Sequence, residues 1–162
     1  MRTINPEHLD VVKRLLAETP YYDLLDMKVV EMGPGTCKIS VDIKNKHKNS
    51  YGGFCGGAYA SLLDMGAYYA LYCLLDEDEG YTTLDMQTHF LRAASEGTIY
   101  CEGKVLKRGS TICLCESRIF DEAGHILAEC TAKMFVSPAV QPMSASVDFL
   151  EPGCVMPPKF LD

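Results

Sequence analysis

Asp64 is the only charged residue in the apolar run from Phe54 to Leu75. Burying an ionised carboxylate without partners costs several kcal/mol, so an aspartate in that setting needs a reason. Two readings are open. In the structural one, Asp64 caps a loop or bonds backbone amides at an interface. In the functional one, it is a general base or a nucleophile. Ahead of it stand Gly52, Gly53, Gly56 and Gly57. Gly56 and Gly57 fall where a helix should begin, and there the N–H groups lack intrahelical partners and the dipole favours negative charge. Glycine lets a carbonyl oxygen come close to such amides, as an oxyanion site requires. For a glycine cluster taken alone, a tight turn is the plainer account.

Spacing constrains how these two features can work together. Asp64 lies eight residues beyond Gly56, which on one helix is ~12 Å along the axis. A base and an oxyanion donor that act on one carbonyl must both lie within hydrogen-bond reach of it. One subunit cannot supply both. An enzymatic reading therefore demands a homo-oligomer, a dimer or a tetramer, in which the helix start of one chain meets Asp64 of another.

The elements that must position these residues are legible from periodicity. Asn5 can cap an opening helix with Pro6 at its first position, and Leu9, Val12, Leu15 and Leu16 form its apolar stripe up to Thr19 and Pro20. Strands are predicted at Met27–Met32 and Thr36–Ile43 around a Gly-Pro-Gly turn. Four more are predicted near Thr82–Leu91, Thr98–Lys107, Ile112–Phe120 and Ile126–Val136. The apolar run between the two groups, to about Leu75, reads as one long helix hydrophobic on nearly all sides, which something must wrap. An antiparallel sheet of about six strands around one long central helix, the arrangement of an α+β hotdog fold, satisfies that requirement, although periodicity alone specifies only an α+β domain with one central helix. Residues 1–24 then form an N-terminal helix and lead-in, and residues 25–137 the hotdog domain. Residues 138–162 form a proline-rich tail expected to be irregular, since five of the eight prolines lie beyond Ser137.

Composition narrows the function. A net charge of −7 offers no basic excess to displace phosphate counterions, which weighs against nucleic acid. The apolar run is long enough to span a bilayer, but an aspartate at its centre costs ~2.5–3.5 kcal/mol on insertion scales, so no membrane association is expected. The first residues hold no apolar run of the secretory kind. With eight cysteines, this points to a reducing compartment and a cytoplasmic protein. No C-x-x-C pair or H-x-x-x-H partner stands out, so Cys37, Cys73, Cys101, Cys113, Cys115 and Cys130 read as core thiols, and neither a metal nor a cofactor is expected. His8 and His125 read as surface residues, and the acidic run Asp76–Glu79 as a solvated loop.

In this order and spacing the residues carry a family resemblance. Asn49, Gly52, Cys55, Gly56, Gly57 and Asp64 resemble the N-x-x-G-x-x-H-G-G-x6-D motif of hotdog acyl-CoA thioesterases. The segments Thr83–Met86 and Val105–Gly109 resemble the family too, so that the likeness covers about Leu25 to Val136. The subgroup it is most similar to acts on phenylacetyl-type and medium- to long-chain acyl-CoAs. The resemblance implies that Gly56 offers the N–H that polarises the thioester carbonyl, with Gly57 beside it at the substrate. Asp64 of the facing subunit would activate water or attack directly, and Thr83 would help to place the water. Asn49 would border the active-site loop. Lys107, Arg108 and Gly109 match the region that meets the nucleotide phosphates, for which a solvated turn is the structural alternative. The D-x-N-P-x-H pattern of hydratase-type hotdogs is missing.

One position departs from the pattern: the family's histidine is Cys55 here. Cysteine is smaller, a weak donor, and carries no positive charge. A slower or differently selective enzyme is one consequence, and an acyl-CoA-binding protein without hydrolysis is the alternative. A nucleophilic role for Cys55 at the helix start is physically allowed, though only His47 lies near it in sequence.

Overall fold

Alternation in Thr36–Asp42 (β2) buries Cys37, Ile39 and Val41 on one face. β1 (Lys28–Gly33) folds back on it through Pro34 and Gly35, the latter at φ 80°. β3 (Tyr81–Phe90), β4 (Thr98–Lys107), β5 (Ile112–Phe120) and β6 (Ile126–Val136) complete one antiparallel sheet of order β1-β2-β4-β5-β6-β3. In this computed structural model, which describes residues 2–161, the sheet curls around α3 (Gly56–Tyr72). The hotdog architecture expected from the sequence is the one observed.

The helix seats closely because two glycines meet. A Cβ on Gly103 of β4 would fall 1.8 Å from the Gly66 carbonyl oxygen of α3, and one on Gly66 would fall 2.6 Å from Cys101 Sγ. No larger side chain fits there without moving backbone. Leu62, Leu63, Ala67, Ala70 and Leu71 are fully buried around this contact. The cysteines expected in the core are there, Cys113 and Cys115 included.

Two bulges change which residues of β6 and β3 face inward. In β6 the pairing steps from Ile119–Ala128 to Phe120–Ile126, so Leu127 is the extra residue and turns inward while Ile126 is exposed. In β3 the pairing steps from Thr83–Met134 to Asp85–Lys133 around Leu84. The inward positions thus change from Tyr81 and Thr83 to Met86 and Thr88. Bulges of this kind re-aim side chains.

Segments outside the sheet are more ordered than expected. α1 (Pro6–Ala17) begins as predicted, with the Glu7 N–H donating to Asn5 Oδ1 at 3.1 Å. A short α2 (Pro20–Leu24) follows, because Pro20 opens a new helix as well as ending the old one. The tail is not irregular throughout: it forms α4 (Met143–Leu150) behind Pro142, whose missing N–H costs nothing at a helix start. Its end then returns to the N-terminal segment. The Asn5 N–H donates to the Lys159 carbonyl at 2.9 Å, and Ile4 pairs with Phe160.

His8 is buried, contrary to the surface position expected of it. Its Nδ1 donates to the Pro157 carbonyl at 2.7 Å and its Nε2 accepts from the Tyr72 hydroxyl at 2.6 Å. Burial pulls its pKa below the usual imidazole value. The acidic run does not merely face solvent either. Asp76 pairs with Arg2, Glu77 accepts the Lys159 N–H, and Glu79 pairs with Arg108.

Candidate active site

Asp64 lies near the middle of α3, half-buried. Its Oδ1 accepts a hydrogen bond from the Thr83 hydroxyl of β3 at 2.7 Å. Met134 Sδ lies 3.5 Å from the same hydroxyl, but a hydroxyl has one proton, and the carboxylate is much the stronger acceptor. With that proton committed, Thr83 Oγ1 can only accept from a further molecule. Thr83 faces the helix in alternation with Tyr81, and the bulge after it changes which residues of the strand face inward beyond that point. The apolar pattern singles out Asp64 and the family resemblance names Thr83, but neither joins the two.

Asn49, Cys55, Gly56 and Gly57 gather at the start of the same helix. Asn49 Oδ1 accepts from the N–H groups of Tyr51 and Gly53 at 2.9 and 3.2 Å, which holds the loop around Gly52 at φ 82°. The Phe54 N–H donates to the Ala94 carbonyl at 2.7 Å, and the Cys55 N–H to the His47 carbonyl at 2.8 Å. The loop is thus tied down from two sides. Cys55 is the N-cap residue, exposed, and its side chain makes no capping hydrogen bond. The first-turn amides, Gly56 among them, therefore keep the electropositive character of an uncapped helix start. Beside Gly56 opens a hollow of ≈ 300 Å³ lined by Phe54, Tyr59 and Phe90.

His47 is buried, and burial lowers its pKa. Its Nδ1 accepts the Lys44 N–H at 3.0 Å, and its Nε2 faces Asp26 at 3.8 Å. Both ring nitrogens are thereby directed at Lys44 and Asp26, so His47 supports the loop through its carbonyl and does not serve Cys55 as a base.

Lys107, Arg108 and Gly109 lie elsewhere. They lie at the end of β4, Lys107 being its last residue, near the far end of α3, a helix of 17 residues and so about 25 Å long. Arg108 Nη2 donates to both carboxylate oxygens of Glu79, at 3.1 and 3.0 Å. Lys107 is exposed. At Gly109 a Cβ would fall 2.1 Å from the Ile112 carbonyl oxygen, so the turn itself requires glycine. The helix tyrosines chiefly serve packing. Tyr68 stacks on Tyr81 at 4.0 Å, and each hydroxyl donates to the other's carbonyl at 3.2 Å.

A helix start with open amides and a carboxylate held by a threonine, on a hotdog scaffold, form a recognisable set. Residues 51–128 match the family model described as the thioesterase superfamily, and they form the central helix and most of the strands of the hotdog fold. A candidate esterase of Saccharolobus solfataricus is 25% identical over 115 residues, 71% of this chain and 81% of that protein. A thioesterase of Haemophilus influenzae superposes with a TM-score of 0.76 at 16% identity, over 85% of this chain and 95% of that one. Zebra fish thioesterase superfamily member 2 superposes with a TM-score of 0.70 at 24% identity, over 80% and 98% of the two chains. No helix among the described residues is long and apolar enough to cross a membrane.

Proposed function

We propose that this protein is an acyl-CoA thioesterase, acting as a cytoplasmic homo-oligomer on an aromatic or medium- to long-chain acyl-CoA. The observation that carries this reading is the Thr83–Asp64 hydrogen bond, with Asp64 on the same helix as the uncapped start at Gly56. Asp64 Oδ2 makes no hydrogen bond among the described residues. A water that donates one hydrogen to Oδ2 and the other to Thr83 Oγ1 presents its lone pair to a thioester carbonyl carbon. As the C–O bond forms, Asp64 takes the water proton and the Gly56 N–H of the facing subunit receives the developing oxyanion. Collapse then breaks the C–S bond, and coenzyme A leaves as its thiolate to be reprotonated. Asn49 and Gly57 shape the loop against the substrate, and Lys107 and Arg108 supply cations for the nucleotide phosphates.

The oligomer follows from the same geometry, since Gly56 and Asp64 belong to one rigid helix. β3 adds support, because it is an edge strand with Leu84 and Phe90 each 56% exposed. Edges of that kind invite pairing with another chain. Hydrolysis of a panel of acyl-CoAs, with Asp64→Asn as the control, tests the reading. Thiol release that persists in a folded Asp64→Asn variant overturns it.

Cys55 favours a second reading, in which the domain binds acyl-CoA without cleaving it. It sits exposed at the N-cap with no capping bond and no histidine beside it. Cys55→His distinguishes the two. A rise in turnover marks an attenuated enzyme, and intact binding without any turnover in either form marks a binding protein.

A further inference from the structure

Asp26 has φ 52°, the one positive value for a non-glycine among the described residues. Such a backbone persists only where its surroundings hold it. Here Lys44 and Lys46 grip the carboxylate at 2.9 and 3.0 Å. Both lysines belong to the segment Lys44–His47, whose last three residues form a single 3₁₀ turn. Asp26 therefore anchors the turn that carries His47, and the His47 side chain is buried.

From His47 two paths lead to the start of α3. The ring lies 5.5 Å from Phe54, tilted by 52°, and Phe54 packs at 4.7 Å on Tyr59 in the helix's first turn. The carbonyl accepts the Cys55 N–H at 2.8 Å, and Lys48 pairs with Phe54 beside it. Cys55 adds no side-chain cap, so this backbone tether sets where the next amide, that of Gly56, points.

The tether depends on the charge of the imidazole. Nδ1 accepts the Lys44 N–H at 3.0 Å, so the neutral ring carries its one proton on Nε2, 3.8 Å from Asp26 Oδ2. A proton added at Nδ1 would set two donors against each other, and the cation would be drawn toward Asp26. Burial, the largest influence, lowers the His47 pKa from the usual 6.5. Asp26 and the Leu25 carbonyl oppose that effect, while Lys46 and Lys44 add to it. Lys44 first, and Lys46 with it, hold the Asp26 carboxyl below the usual carboxylate range against its own burial. Asp26 thus stays charged where the imidazole titrates.

We propose that His47 is a positioning residue for hydrolysis: its neutral ring, seated on the Lys44 amide, aims the Gly56 N–H at the developing oxyanion, and protonation draws the ring to Asp26 and spoils that aim. This rests on the thioesterase reading above and adds its regulation. The site is competent while the ring is neutral and fails as acid protonates it.

Full-length wild type, His47→Asn, His47→Leu and Asp26→Asn test this. Asparagine presents an acceptor near the Nδ1 position and takes no proton, whereas leucine presents none. His47→Leu should lower kcat by ~10- to 100-fold with KM nearly unchanged, because the oxyanion interaction is made in the transition state. His47→Asn should recover most of that loss and remove the imidazole from the pH profile. A second readout needs no turnover: the Cys55 and Gly56 amide resonances, followed from about pH 8 to 5 in forms that also carry Asp64→Asn, so that this carboxylate does not titrate. They should move with the His47 ring signal, shift to a lower midpoint in Asp26→Asn, and lie flat in His47→Asn. If His47→Leu does not fold, the amide titrations of the other forms decide alone. Amides that titrate in this way in a protein that cleaves no acyl-CoA overturn the thioesterase reading and uphold the tether. Amides that ignore the ring, a titration that survives in His47→Asn, or a His47→Leu loss confined to KM overturns the proposal.

Discussion

The Thr83 hydroxyl lies 2.7 Å from Asp64 Oδ1, bridging the sheet and the central helix at the point where β3 bulges. The bond orients the carboxylate through one oxygen and leaves the second without a hydrogen bond among the described residues. Its place beside a strand irregularity ties the chemistry to the packing of β3 on β6, so the pair is as rigid as the sheet.

Asp64→Asn keeps a group that can accept from Thr83 but cannot take a proton, and kcat should fall by ~10²–10⁴. Thr83→Val removes a hydrogen bond to a charged group, worth ~1.5–3 kcal/mol, and kcat should fall by about 10- to 100-fold. Steady-state thiol release from both variants, checked for native oligomer size, measures this.

Arg108 is engaged with Glu79, so a phosphate that uses it must compete with a carboxylate. Glu79→Gln should lower KM for the acyl-CoA several-fold with kcat unchanged, and the effect should vanish when Arg108→Ala is also present. The stability cost should stay within ~1 kcal/mol, as for other partly exposed pairs. A KM that does not respond removes Arg108 from phosphate binding.

Close approach of Gly66 and Gly103 should make either glycine-to-alanine substitution destabilising. A methyl at Gly103 meets backbone at 1.8 Å, and overpacking of this kind costs ~1–3 kcal/mol or more. Urea unfolding of the Gly103→Ala variant should show a lower midpoint than wild type.

The fold should weaken in alkali. Burial pushes the thiols of Cys37 and Cys115 up to about 12 and that of Cys73 to about 11, while in the unfolded chain they ionise near ~8.5. The folded state then holds more protons, so their contribution is full below ~8.5 and falls by ~1.4 kcal/mol per pH unit for each thiol above it. Lys159 acts in the opposite sense. Burial lowers its amine from 10.5 to about 8, so its contribution is present above 10.5 and is lost as pH falls through 8. Unfolding midpoints across this range should decline with pH, less steeply in Cys37→Ala and more steeply in Lys159→Met.

Much of this protein was determined by local sequence. The period-two strands β4 and β5, the Asn5 cap and the all-round apolar helix bearing Asp64 were legible because each depends on neighbours a few residues away. The separation of Gly56 from Asp64, ~12 Å along the axis, likewise follows from helix geometry alone. Tertiary structure alone decided the rest. The register that sets Thr83 against Asp64 comes from pairing of β3 with β6, about fifty residues distant. The Arg108–Glu79 pair joins a strand end to the acidic loop, segments 29 residues apart in sequence. The buried His8 depends on the two chain ends meeting, since its ring bonds the Pro157 carbonyl. Periodicity reports which face of an element is apolar, but register, bulges and the meeting of distant segments are set by packing between elements, and a local pattern does not encode them.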